Sequence, residues 1–334
     1  MRVLPNPLVA CYLGVLVAAC SSPPAADAPA WVDPSPHTVG EVAVNGARLN
    51  YLDWGGTGPA LVLIHGLGDS PHVWDDLAPL LTSSFRVVAY ARRGHAHSSM
   101  AGPYDNETLT DDLRGLLDSL RIERANLLGW SMGGNEITEF AGRYPERTIA
   151  LVYLDAAYDW ADPHLGAAFD ASPVSLTPGP ADLASLDVLR SWFQQTWLAG
   201  VDWPPSWEAH MRDLVDEQPD GSVHYRQSDS INVAMFGSLM AYAKDYTRIK
   251  APALGLFAPI FFPPGADSTR AAALAQWEAS MFEPYRAASI ARFRREVAVS
   301  QDTLLPNTNH ASIGVVDVNG VAGVVRGFLV AHQR

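Results

Sequence analysis

Gly129-Trp130-Ser131-Met132-Gly133 spells G-x-S-x-G at the end of the apolar run "ANLLGW". A serine hydroxyl is a weak nucleophile by itself, and becomes effective when a base takes its proton and an acid orients that base. Gly and Ser are common, so the surroundings of Ser131 must decide whether it does chemistry. Ser131 falls where a buried strand gives way to a helical pattern, a sharp turn that lifts a side chain out of the sheet. Gly129 and Gly133 supply the small neighbours that such a strained, closely packed turn requires. The following helix points free N–H groups and the positive end of its dipole at the same place, which suits a developing oxyanion. The candidate base is His310 in "PNTNHAS", after the last predicted strand and before the last helix. It completes the chain order Ser, acid, His. Near the start, "LVLIHG" brings the backbone N–H of Leu67 into play as one oxyanion donor, with that of Met132 as the other. His65 reads as a structural hydrogen-bonding residue.

The elements that must hold these residues follow from hydrophobic pattern. "EVAVNG" and "RLNYLDWG" predict an antiparallel pair turning at Asn45-Gly46. "PALVLIHG", "FRVVAYA", "ANLLGW", "TIALVYLDAA" and "APALGLFA" are continuous apolar runs, expected of strands buried on both faces. Helical spacing separates them: Leu109, Leu113, Leu116, Leu117 and Leu120, with Thr108 and Asp111 as a capping box, then Met132 to Arg143. Strands alternating with helices predict an α/β fold with a mostly parallel sheet. The alternation stops between Tyr158 and Tyr246. That stretch has helical patches, no convincing buried strand, and Trp160, Trp192, Trp197, Trp203 and Trp207. After "APALGLFA" come a long helical stretch, "DTLLPN" and a final amphipathic helix near Ile313 to Leu329.

Over nearly all of Val39 to His332 the chain resembles an α/β-hydrolase. The resemblance rests on "HGLGDSPHVW" after the third strand, "RRGHAHS" after the fourth, "GWSMGG" at the turn and "NH" near the end. It implies a mostly parallel sheet flanked by helices, a helical cap over the site, Ser131 as nucleophile, His310 as base, and Leu67 with Met132 as oxyanion donors. Relatives commonly read Asp-x-Arg-Gly-His-Gly-x-Ser where this chain has "ARRGHAHS"; Ala91 and Ala96 replace the first and sixth of these, with consequences for local loop geometry. The triad acid has two candidates. Relatives usually carry it after the seventh strand, where "FAPIFFPPGADSTR" offers Asp267, also a natural helix N-cap. Asp155, in "VYLDAAY", matches members of the haloalkane dehalogenase branch that place their acid after strand six. Asp155 is favoured, with Asp267 as competitor.

Composition bounds the rest. Of 334 residues, 48% are hydrophobic and 18% charged, a globular balance, and the net charge of −13 argues against nucleic acid as partner. Cys11 and Cys20 are the only cysteines, so residues beyond Cys20 form no disulfide. Arg2, the apolar run Leu8 to Ala19 and "VAACSS" predict an export signal over residues 1–20, too short to span a bilayer. Its end resembles a bacterial lipobox, which implies lipidation at Cys20 and a membrane anchor; an ordinary secretory signal is the alternative. Residues 21–38 have linker composition, residues 39–157 and 247–334 form the core, and 158–246 the cap. No cofactor motif appears, and His95-x-His97 lacks a third metal ligand. The expected activity is hydrolysis of small or medium acyl esters through an acyl-enzyme. Carbon–carbon hydrolysis, cofactor-free perhydrolysis and a non-catalytic ligand-binding lipoprotein are the alternatives.

Overall fold

The computed structural model describes residues 31–333. The chain divides into two units, residues 1–33 and 34–334. Only residues 31–33 of the first are described, so the export signal and Cys20 lie outside the described residues. No described helix is long and apolar enough to cross a membrane.

The second unit is built on one eight-stranded sheet. Its first two strands, β1 (Thr38–Val44) and β2 (Ala47–Gly55), pair antiparallel. They turn through Asn45 and Gly46 at φ +46° and +74°, the left-handed pair whose twist matches a two-residue hairpin. There follow β3 (Ala60–Ile64), α1 (Ala78–Leu81), β4 (Arg86–Tyr90), α2 (Asn106–Ser119), β5 (Ala125–Trp130), α3 (Gly133–Arg143) and β6 (Thr148–Leu154). An insertion then carries α4 (Pro163–Asp170), α5 (Leu186–Thr196), α6 (Pro205–Leu214), the hairpin β7 (Val215–Glu217) and β8 (Val223–Tyr225), and α7 (Asp229–Ala241). The chain closes with β9 (Ala253–Phe257), α8 (Ser268–Trp277), α9 (Glu283–Glu296), β10 (Ser300–Leu304) and α10 (Val318–Ala331).

Strand order is β1-β2-β4-β3-β5-β6-β9-β10, antiparallel at β1/β2 and β2/β4 and parallel elsewhere. The central strands are buried on both faces, and side-chain alternation divides them between two cores. Val62 and Ile64 of β3 join one cluster with Leu109, Leu113, Leu116 and Leu117 of α2 and Phe140 of α3. Leu61 and Leu63 join the other, with Leu81 of α1 and Val321, Val325, Phe328 and Leu329 of α10. Each residue of β3 thus lies in one core or the other, which explains its unbroken apolar run. The crossover direction reverses beside β3, with β4 on one side and β5 on the other. In open parallel sheets, sites form at the carboxyl ends of the strands beside such a reversal.

Two local expectations need correction. Helix α2 is capped by Asp105, which accepts from the Thr108 amide at 2.8 Å and the Thr108 hydroxyl at 2.9 Å. Thr108 therefore lies inside the first turn, and Asp111 instead receives Arg143 and Tyr144. The insertion does contain strands, but at three residues each β7 and β8 are too short to print an alternating pattern.

Candidate active site

Ser131 follows directly on β5 with φ +53°. The left-handed region costs a non-glycine residue roughly 1–3 kcal/mol, so the surrounding fold must hold it there. The glycines explain how. A Cβ on Gly129 would lie 2.5 Å from the Gly133 carbonyl, and one on Gly133 would lie 2.5 Å from the Ile64 carbonyl oxygen. Helix α3 therefore starts against bare backbone of β3 and β5, and no side chain larger than hydrogen fits at either place.

His310 comes from the loop between β10 and α10. Asn309 folds that loop: its Oδ1 accepts from the amides of Ala311 and Ser312, at 2.9 and 3.0 Å. The His310 amide donates to the Phe261 carbonyl and its own carbonyl accepts from Trp130 Nε1 at 2.9 Å. The imidazole stacks on Phe261, centroids 4.3 Å apart at 16°. Held this way, His310 Nε2 lies 3.0 Å from Ser131 Oγ and its Nδ1 lies 2.6 Å from Asp155 Oδ2.

Asp155 is the carboxylate on this imidazole. It follows directly on β6 at φ +46° and is 1% exposed. Its other oxygen accepts from the Ala258 amide at 2.9 Å and the Tyr158 hydroxyl at 2.5 Å. Burial first, and then the Asp155 charge, push the Tyr158 phenol well above its ordinary range, so it stays a donor. Three hydrogen bonds around one buried carboxylate offset its desolvation. Asp267 is elsewhere employed: exposed, it caps α8 by accepting from the Arg270 amide at 2.7 Å.

The loop after β3 supplies the other side. Among the described residues the amides of Leu67 and Met132 make no hydrogen bond, which leaves them available to an oxygen in the cleft. What aims the Leu67 peptide is Arg92. Buried at 1% exposure, its guanidinium donates to the carbonyls of His65 and Gly66 at 2.8 and 3.1 Å and pairs with the buried Glu136. With both carbonyls drawn inward, the N–H groups that follow turn outward. His65 accepts from the Arg92 amide at Nε2 and holds the Gly66 carbonyl through Nδ1. Burial, reinforced by Arg92, drives its pKa well below 6.5, so it is a neutral structural imidazole. Sequence pattern missed Arg92, Tyr158 and Phe261. Their only signals were "RRG" in the fourth-strand loop, a tyrosine three after Asp155, and the phenylalanine pair of "PIFFPP".

His95 and His97 diverge: His95 Nε2 accepts from the Gly68 amide at 3.1 Å, and His97 Nε2 meets Asp213 at 3.1 Å. Ala96 between them takes φ +46°, the conformation that makes glycine usual in relatives at that place. His37, His72 and Asp75 place ligating atoms within 4.8 Å of one another, but His72 Nδ1 already hydrogen-bonds Asp75 at 2.7 Å. The tryptophans of the insertion separate into two groups. Trp160 lies 6.1 Å from His310 and Trp197 packs on Phe261 and Phe262. Trp192, Trp203 and Trp207 instead gather around Phe193 or one another.

Comparison with known proteins agrees with this architecture. Residues 59–199 match the family model described as alpha/beta hydrolase fold. Non-heme chloroperoxidase CPO-A1 of Kitasatospora aureofaciens is 37% identical over 102 residues, 30% of this chain and 37% of that protein. The match thus spans little more than a third of the relative's own length. Among solved structures, E-2-(acetamidomethylene)succinate hydrolase superposes with a TM-score of 0.65 at 18% identity, over 88% of this chain and 99% of that one. The enol-lactonase of Burkholderia xenovorans LB400 does so at 0.58 and 25% identity, over 87% and 100%. Sheet order, the turn at Ser131 and these likenesses together show that the chain has the alpha/beta hydrolase fold.

Proposed function

We propose that the chain is a serine hydrolase that cleaves carboxylic esters of small or medium acyl groups through an acyl-enzyme. The observation that carries this is the continuous relay Ser131–His310–Asp155, with separations of 3.0 and 2.6 Å. Asp155 holds the proton of His310 on Nδ1, so Nε2 is free to take the Ser131 proton as Oγ bonds to the acyl carbon. The Leu67 and Met132 amides receive the oxyanion. When the tetrahedral adduct collapses, His310 returns that proton to the departing alkoxide. Water then attacks the acyl-enzyme by the same path and frees the acid.

Trp160, buried beside His310, and Trp197, on Phe261, pack the insertion against the residues of this site, as a cap over it would. A second reading is capture of the acyl-enzyme by hydrogen peroxide, favoured by the likeness to a non-heme chloroperoxidase. Export with a lipid anchor at Cys20 belongs to the same proposal and rests on the sequence "VAACSS". Fluorophosphonate should label the wild-type protein and not Ser131→Ala, and ester turnover should vanish with the label. Folded protein that takes no label would overturn the hydrolase reading, and peracid formed from an ester and peroxide would move it to perhydrolysis. Loss of fatty-acid incorporation in Cys20→Ala tests the anchor, and incorporation that persists would end it.

A further inference from the structure

The relay leaves one ionisable group of the cleft without a task. Asp69 follows the loop whose peptides Arg92 orients, and its side chain keeps 15% of its surface exposed. A Cβ built on Gly66 would collide with Asp69 Oδ2 and sit 3.2 Å from Ser131 Cβ. The Asp69 carboxyl and the Ser131 side chain therefore converge on the same small volume, directly beside the Leu67 peptide.

Its neighbours are unusual for an aspartate. His210, buried on α6 of the insertion, places Nε2 3.5 Å from Asp69 Oδ1. The Ser70 amide donates to His210 Nδ1 at 3.3 Å, so in the neutral ring the proton is on Nε2, facing Asp69. Burial pushes the His210 pKa down to about 3, which makes it a neutral donor and not a countercharge. Tyr225 of β8 faces the same carboxyl with its phenol pushed upward by burial and by Asp69. Among the described residues Arg92 is the cation that acts on Asp69, and it is already engaged with Glu136 and two carbonyls. Burial outweighs it and lifts the Asp69 pKa from 3.8 to about 8. Oδ1 lies toward the buried His210, and Oδ2 lies on the Ser131 side, where a substrate oxygen can meet the acid proton.

We propose that Asp69 is a specificity-determining residue that donates a hydrogen bond from Oδ2 to an oxygen of the substrate lying beside the carbonyl attacked by Ser131. The favoured substrates are then esters that carry an ether, hydroxyl or keto oxygen one or two bonds from that carbonyl. This rests on the ester-hydrolase reading and names its substrate class. The donor exists only while Asp69 is protonated, so the preference is present below about pH 8 and lost above it.

The test compares p-nitrophenyl methoxyacetate with p-nitrophenyl butanoate, equal in length with oxygen replacing one methylene. The kcat/KM ratio of the two, taken relative to Asp69→Leu to cancel their intrinsic reactivity, should favour methoxyacetate about tenfold near pH 6.5, the scale of one well-placed hydrogen bond. In the wild type this preference should collapse as pH rises through about 8. Asp69→Asn keeps an N–H donor that does not titrate, and should hold the preference across the range. A ratio that is independent of pH in the wild type, or equal in wild type and Asp69→Leu, would overturn the proposal even if the leucine variant folds poorly. Wild-type protein that takes neither ester and no fluorophosphonate would instead overturn the hydrolase reading, and this one with it.

Discussion

The loops that follow β6 and β9 stand side by side at the carboxyl edge of the sheet, and each holds one of the two aspartates that the sequence offered as the triad acid. After β6 the chain turns at once. Asp155 takes φ +46°, its amide donates to the Leu256 carbonyl of β9 at 2.7 Å, and its carboxylate is buried under His310. After β9 the chain runs on through nine residues before Asp267, which is exposed and caps α8. Yet the second loop is not idle: it donates the Ala258 amide to Asp155 and lays the Phe261 ring on the imidazole. Two neighbouring strand ends thus serve one histidine by different means, one through charge and the other through an amide and an aromatic face. A carboxylate is useful here only where burial, donors and a fixed backbone come together, and the Asp267 side chain has only the helix amides.

Exchanging the charges of the two loops should give the largest contrast. Asp155→Asn should lower kcat on a p-nitrophenyl ester by about 10⁴, because the imidazole loses its preferred tautomer and the support for its cation. Asp267→Asn should leave kcat unchanged, and steady-state kinetics reversing the two results would transfer the acid to the β9 loop. A finer test removes only the Tyr158 donor. Tyr158→Phe should lower kcat about fivefold, as one hydrogen bond to the carboxylate is worth ~1 kcal/mol. The smallest effect belongs to the cap: Asp267→Ala should cost roughly 0.5–1 kcal/mol in denaturant unfolding with turnover untouched.

Much of the scaffold was legible because its signals are local. Continuous apolar runs mark strands with a helix layer on each face, as the alternating membership of β3 in two cores explains. Asn45-Gly46 marks a hairpin because few other pairs take two positive φ angles in succession. Less local features were harder to read. Asp105 and Thr108 both look like helix caps, and only the backbone shows that Asp105 comes first. The hairpin in the insertion was hidden by its brevity. Arg92 read as part of a motif, while its purpose, to draw two carbonyls inward and release the amide of Leu67, depends on Glu136 on α3, 44 residues away.

By itself the sequence determined the turn at Ser131, since Gly129, Gly133 and an apolar run leave a strand-to-helix junction little choice about which side chain it lifts. It also determined that His310 follows the last strand of the sheet. Only the tertiary structure decided which acid that histidine meets. The strand order places β6 next to β9, and the pairing across 155 residues of chain rests on the register of that sheet. Local spacing carries no record of such a contact, because the free energy that fixes it comes from burying both groups together and not from either stretch of chain alone.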